Sequence, residues 1–190
     1  MKRAFSVVVA VVWLAAAASI SAKECRGLQF PDQIQVAGQT LTLNGLGVRK
    51  ATFLKVNVYV AALYASHPAR DGKTLIESTD PQQLTLQFVR NVDKDDLTKA
   101  WREGFEKVAK DRLPALNQRI DRLNSWMTDV KTGQRLTFTR SAGSIQVDVN
   151  GAAKGSIEGE DFSRAFLAIW LGDSPPNSEL KEGLLGGKCE

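Results

Sequence analysis

The sequence has a single histidine, His67, only two cysteines, and no apolar run long enough to cross a membrane. With one imidazole, a Ser-His or Cys-His catalytic set has no second histidine in reserve, and no ligand set for a metal assembles around it. No glycine-rich phosphate loop or dinucleotide fingerprint appears, so no cofactor is expected. Charge of one sign is not concentrated anywhere. The formal net charge is +4, and acids and bases are interleaved, which leaves no electrostatic footprint for nucleic acid.

The chain begins with Lys2 and Arg3, then a nearly wholly apolar stretch from Ala4 to Ala18, then small residues. That order reads as a secretion signal, residues 1–22, cleaved near Ala22 or, in a shorter version, at Ala18. The stretch falls short of the roughly 20 residues a helical span needs, so no stable membrane span is expected after cleavage. A charged Lys23-Glu24 pair ahead of Cys25 argues against a lipoprotein anchor. The mature chain, residues 23–190, has the size of one domain with one core and is expected in the periplasm or secreted. Losing Lys2 and Arg3 lowers the net charge from +4 to +2. Export puts Cys25 and Cys189 in an oxidising compartment, where a bridge between them ties the two ends together. By chain-entropy reasoning so long a loop stabilises the fold by up to about 5 kcal/mol; two free thiols are the alternative.

Strand signals dominate the first half: Leu28 to Phe30, Gln33 to Val36, a turn at Ala37-Gly38-Gln39, and Leu41-Thr42-Leu43. Asn44-Gly45 reads as a turn dipeptide, followed by a long β-rich stretch from Val48 to Ala65. A short helix near Gly72 to Ser78 precedes a strand from Gln83 to Arg90. The period then becomes helical. Leu97, Trp101, Phe105 and Val108 form one stripe, behind a box-like start at Asp93 and Asp96, and Leu116, Ile120, Leu123 and Met127 form the next, beyond Pro114. Glu103 with Lys107 and Glu106 with Lys110 are spaced for surface pairs. Strands return at Arg135 to Arg140, Ser144 to Asn150 and Ala153 to Ile157, joined at Ala142-Gly143 and Asn150-Gly151. A buried helix from Glu160 to Leu171 and a short one ending at Leu185 complete an α+β pattern, an antiparallel sheet with helices on one face.

The segment Leu43-Asn44-Gly45-Leu46-Gly47-Val48-Arg49-Lys50, running on through Val56-Asn57-Val58-Tyr59-Val60 to Tyr64, resembles the signature of the chalcone isomerase family. Phe162 to Gly172 followed by Leu180 to Gly186 is similar to that family's C-terminal helix pair. Phe88 to Val92 and Trp101-Arg102-Glu103-Gly104-Phe105 are similar to its exported bacterial members. The resemblance covers essentially the whole mature chain. It implies an open-faced β-sandwich of the chalcone isomerase type, with a ligand cleft between a large antiparallel sheet and its helices.

Ring closure of a chalcone needs a fixed cation for the charge moving onto the carbonyl oxygen. By resemblance Arg49 is that group, and the same guanidinium suits a fatty-acid carboxylate. Tyr59 matches the hydroxyl-bearing strand position, and the two are the catalytic candidates if the chain is active. Three further polar positions of the enzymes fall at about Asp93, Ala100 and Ile169, so efficient cyclisation is not expected. Ten residues of straight strand would hold Arg49 and Tyr59 about 33 Å apart, so a shared ligand requires a bend or turn, best placed between Lys50 and Leu54. Tyr64, Phe88, Trp101, Phe105, Phe166 and Trp170 are aromatic candidates for an apolar pocket, though such stripes are more often core. Arg49, Tyr59, Tyr64, Phe88 and Trp101 are the ligand-binding candidates. The expectation is a protein that binds a small amphipathic anion such as a fatty acid. The alternatives are an intramolecular lyase acting on a chalcone-like enone and a non-enzymatic envelope interaction module with a vestigial cleft.

Overall fold

Each apolar alternation in the chain pairs with the next, giving a seven-stranded antiparallel sheet in strict chain order. The computed structural model describes residues 21–51, 54 and 56–190; of the expected secretion signal, residues 1–20 lie outside the described residues, and Ser21 and Ala22 lie within them. A small hairpin, β1 (Ala22–Cys25) and β2 (Leu28–Pro31), precedes the sheet. The sheet runs β3 (Gln33–Val36), β4 (Gln39–Ala51), β5 (Val56–Ala65), β6 (Gln82–Phe88), β7 (Arg135–Ser141), β8 (Ser144–Val149) and β9 (Ala152–Glu158). Helix α1 (Gly72–Glu77) links β5 to β6. Helices α2 (Lys94–Ala109) and α3 (Leu113–Ser125) link β6 to β7, and α4 (Glu160–Leu171) and α5 (Ser178–Leu184) follow β9. The tight hairpin turns are built from Arg26-Gly27, Ala37-Gly38, Ala142-Gly143 and Asn150-Gly151. Both residues of each pair have positive φ, the geometry that matches the sheet's twist.

The two faces differ. Tyr59, Ala61 and Leu63 of β5, with Leu84, Leu86 and Phe88 of β6, point into the helix layer and meet Trp101 and Phe105 of α2 and Phe162 and Phe166 of α4. On the other face Leu41, Leu43, Val60, Ala62 and Tyr64 are covered by Phe30 and Cys25 of the small hairpin. Cys25 is bonded to Cys189, with 6.0 Å between their Cα atoms, so the hairpin is tied to the C-terminal segment.

Asn44-Gly45 is not a turn, in contrast to the sequence expectation. It lies in the middle of β4, where Leu43 opposes Tyr64 and Gly45 already opposes Leu63. Asn44 is therefore the extra residue of a β-bulge. Its side chain is committed elsewhere: the amide donates to the Leu184 carbonyl at 2.7 Å and the oxygen accepts from the Ala69 N–H at 2.7 Å. The bulge switches parity along β4. Before it, odd residues face the small hairpin; after it, Gly45, Gly47 and Arg49 face the helices. At Gly45 and Gly47 the backbone of α5 lies so close that a Cβ would overlap the carbonyls of Gly183 and Leu180. The turn falls between Ala51 and Val56, within the β-rich stretch and where the sequence argument set a bend, Lys50 to Leu54.

The acids at the starts of α2 and α4 behave differently. Asp93 sits at the N-cap of α2 without a side-chain cap bond, and the Lys94 N–H donates instead to Asp129 at 2.9 Å. Asp161 is clamped by both terminal nitrogens of Arg119, at 2.6 and 2.7 Å, and this pairing holds its carboxyl below the ordinary aspartate range. Among the described residues no helix is long and apolar enough to cross a membrane.

Candidate functional site

A cavity of about 520 Å³ opens between α2 and the ends of β4, β5 and β6, within the size range of small-molecule pockets. Its deep wall is aromatic and aliphatic, with Val58, Tyr59, Phe88, Leu97, Trp101 and Trp170 all contributing. Its rim is charged: Asp93, Asp96, Glu103 and Lys107 come from α2 and its N-cap, and Arg90 from the end of β6.

Of the cations lining the cavity, Arg49 is half-buried, while Arg90 and Lys107 are exposed. The β4–β5 turn folds the chain back so that Arg49 is directly opposite Tyr59 across the strand pair, which supplies the bend the sequence required. Directly opposite residues share a face of the sheet, so both side chains reach the same hollow. One guanidinium nitrogen donates to the carbonyl of Lys50 and, at 3.4 Å, to that of Pro176. The Nε and Nη2 hydrogens have no acceptor among the described residues, so with respect to these the donor edge is open to an anion. β4 has no strand neighbour on this outer edge. Asn177 fills the role, accepting from the Lys50 N–H and donating to the Val48 carbonyl, each at 3.2 Å. The backbone on both sides of Arg49 is thereby held.

Tyr59 is 8% exposed, and its hydroxyl oxygen accepts from the Trp170 indole N–H at 3.0 Å. The hydroxyl's own proton has no acceptor among the described residues and remains able to donate. Burial pushes the phenol pKa up, while the Trp170 bond and the nearby Arg49 charge oppose the rise. Phe88 packs edge-on against Tyr59, with 5.5 Å between centroids, and Trp101 edge-on against Trp170 at 5.6 Å. The Trp101 indole nitrogen is buried without a hydrogen-bond partner.

Of the five ligand-binding candidates, Arg49, Tyr59, Phe88 and Trp101 come together here and Tyr64 does not. Five residues beyond Tyr59 on the same strand, Tyr64 has the opposite parity and is buried beneath the small hairpin. Burial there pushes its pKa up to about 12. Phe105 and Phe166 are core side chains, whereas Trp170 reaches the cavity. Among the described residues no group of three or more His, Cys, Asp or Glu could hold a metal ion.

The chalcone isomerase-like family profile matches residues 22–186. The chain belongs to the chalcone isomerase-like family. Among solved structures it is similar to a fatty-acid binding protein of Arabidopsis thaliana, with a TM-score of 0.69 and 18% sequence identity, covering 87% of this chain and 96% of that one. At that identity the likeness establishes the open-faced fold. No curated protein matches by sequence.

Asp93, Ala100 and Ile169, about where the resemblance sets further polar positions of the enzymes, all lie on the cavity wall. Two of the three therefore present hydrocarbon to the hollow. Asn177 and Arg90 escaped the sequence reading: Asn177 looked like the start of a helix, and Arg90 like the end of a strand. Arg90 stands inside the matched block Phe88 to Val92, whereas Asn177 lies between matched blocks and carried no signal of its own.

Proposed function

We propose that this chain is an exported, periplasmic binding protein that holds a small amphipathic anion, with fatty acids as the first class. The acid end meets the free edge of the Arg49 guanidinium and the Tyr59 hydroxyl, and the tail lies along Phe88, Leu97, Trp101 and Ile169. One observation carries this reading: a single half-buried cation, with donors to spare, on the wall of a cavity of about 520 Å³ whose depth is hydrocarbon and aromatic. A carboxylate there gains charge-assisted hydrogen bonds at a site partly screened from water. The structural likeness to a fatty-acid binding protein supports the same class. A vestigial cleft, as a pure interaction module would have, leaves no hollow beside Arg49. Export rests on the reading of residues 1–22, and the Cys25–Cys189 bond suits an oxidising compartment.

Arg49 beside Tyr59 would also suit an enolate, which is the case for an intramolecular lyase. Hydrocarbon at Ala100 and Ile169 leaves two fewer groups to orient a polyphenol, so chalcone absorbance is expected to decay in the presence of protein at the rate in buffer alone. For binding, the mature protein is examined by native mass spectrometry for carried lipid and titrated with a fluorescent fatty acid. Losing charge-assisted bonds worth about 1.5–3 kcal/mol, Arg49→Ala should bind roughly tenfold to a hundredfold more weakly. No carried lipid, no binding and no effect of Arg49→Ala would together refute the reading.

A further inference from the structure

Two large hydrophobic side chains stand exposed among the described residues, Leu54 at 69% and Val56 at 37%, and both lie where β4 turns back into β5. Single exposed hydrophobic side chains are common, but these two lie two residues apart at one turn and have basic company. Val56 lines a shallow surface depression together with Arg26, Asn57, Val89 and Arg90, and no acid lines it. Arg90 also lines the cavity, as does Ala51 at the end of β4, so the tip and the cavity mouth are continuous. The acids of the mouth, Asp93, Asp96 and Glu103, belong to α2 and its N-cap, and none of them lines the depression beside Val56.

We propose that the β4–β5 tip docks on an anionic lipid bilayer, with Leu54 and Val56 entering the acyl boundary and Arg26 and Arg90 facing lipid phosphates, so that the cavity opens at the membrane. Apolar side chains bracketed by cations match the layered chemistry of such a surface, hydrocarbon beneath anionic headgroups. A second copy of this chain is a poorer occupant. A two-fold contact through the tip would crowd two copies each of Arg26 and Arg90 into one interface, with no acid lining the depression to offset them. The proposal takes from the fatty-acid reading only the identity of what passes through the mouth.

The test is co-sedimentation of the mature protein with vesicles of phosphatidylcholine alone or mixed with phosphatidylglycerol. Binding to the anionic vesicles is expected, weakening as salt rises. Leu54→Asp and, separately, Arg26→Glu should each lower the bound fraction roughly tenfold, since one removes the inserted side chain and the other reverses a surface charge. Fluorescent fatty-acid binding without vesicles should be unchanged by Leu54→Asp, which lies outside the cavity wall. Equal sedimentation of wild type and Leu54→Asp, or none by wild type, overturns the proposal. So does a wild-type dimer that Leu54→Asp dissolves, since the tip would then be a self-interface. If vesicles bind and fatty acids do not, the docking stands and the ligand reading fails.

Discussion

Arg49 and Tyr59 oppose one another directly across β4 and β5, and they share a face of the sheet only because Asn44 bulges five residues earlier. An unbroken β4 would turn Arg49 toward the small hairpin, together with Leu41 and Leu43. The bulge therefore carries the cation into the cavity, and the side chain of Asn44 secures it through the Leu184 carbonyl and the Ala69 N–H. Asn44→Ala leaves both of these backbone groups to find other partners. The expected cost is about 1–3 kcal/mol for each group that stays buried and unpaired, read as a lower urea midpoint at unchanged slope. A midpoint equal to wild type would show that the bulge does not depend on this side chain.

The chain has only two tyrosines, which makes its alkaline titration readable. Burial raises both phenol pKa values above the 10.0 of an unperturbed tyrosine, Tyr64 to about 12. As pH climbs past 10.0 the unfolded chain loses its phenol protons first. Stability is therefore undiminished by this route below pH 10 and falls above it, in the case of Tyr64 until about pH 12. Tyr64→Phe should flatten part of that decline in urea midpoints and leave a single ultraviolet-difference transition, that of Tyr59. Trp170→Phe removes a hydrogen bond that favours the phenolate, so the remaining transition should move to still higher pH. A downward move would contradict the arrangement of Tyr59 and Trp170.

Asn177 bonds the β4 backbone on both sides of Arg49 and the Glu179 carboxylate at 3.5 Å, and it does not line the cavity, so in the binding reading it is a positioning residue. With Asn177→Ala the outer edge of β4 loses both side-chain bonds around Arg49. Fatty-acid affinity should fall roughly tenfold, the equivalent of about 1.4 kcal/mol. A comparison separates positioning from general loosening. The methyl ester of the same fatty acid lacks the charge Arg49 reads, so its affinity should barely change. Equal losses for acid and ester would mean that Asn177 supports the cavity as a whole.

The strands, the two amphipathic helices of the α2–α3 pair and three of the four tight hairpins were legible because each follows a local rule of period 2, period 3.6 or a residue-glycine turn. What escaped was settled across the chain. Asn44-Gly45 has turn chemistry, yet its amide finds partners at Leu184 and Ala69, far away in sequence, and so becomes a bulge. The β4–β5 turn, between Ala51 and Val56, carries no glycine or proline, and its place was legible only through the reach argument that put a bend between Lys50 and Leu54. Tyr64 was grouped with Tyr59 by chemistry, where counting parity along β5 would have separated them. Arg49 was marked by family resemblance alone, since its burial beside an apolar hollow depends on the bulge. Arg140 went unmarked because an arginine at the end of an alternating strand looks solvated.

Arg140 is in fact 1% exposed. One terminal nitrogen donates to the carbonyls of Leu75 and Ile76, at 3.4 and 3.1 Å, closing the C-terminal end of α1, and the other donates to Glu160 at 2.9 Å. The two partners are unequally buried, since the Glu160 side chain is 39% exposed. That inequality predicts which substitution hurts more. Arg140→Met strands little: water reaches the freed carboxylate, and the Leu75 carbonyl keeps its 2.8 Å bond from Gln82. A cost of about 1 kcal/mol is expected, mainly for the Ile76 carbonyl. Glu160→Ala leaves a full positive charge in the core with only helix carbonyls for company, and about 3 kcal/mol is expected. The ordering, Glu160→Ala below Arg140→Met in urea midpoint, is the discriminating result, because it reverses what the size of the two changes alone would give.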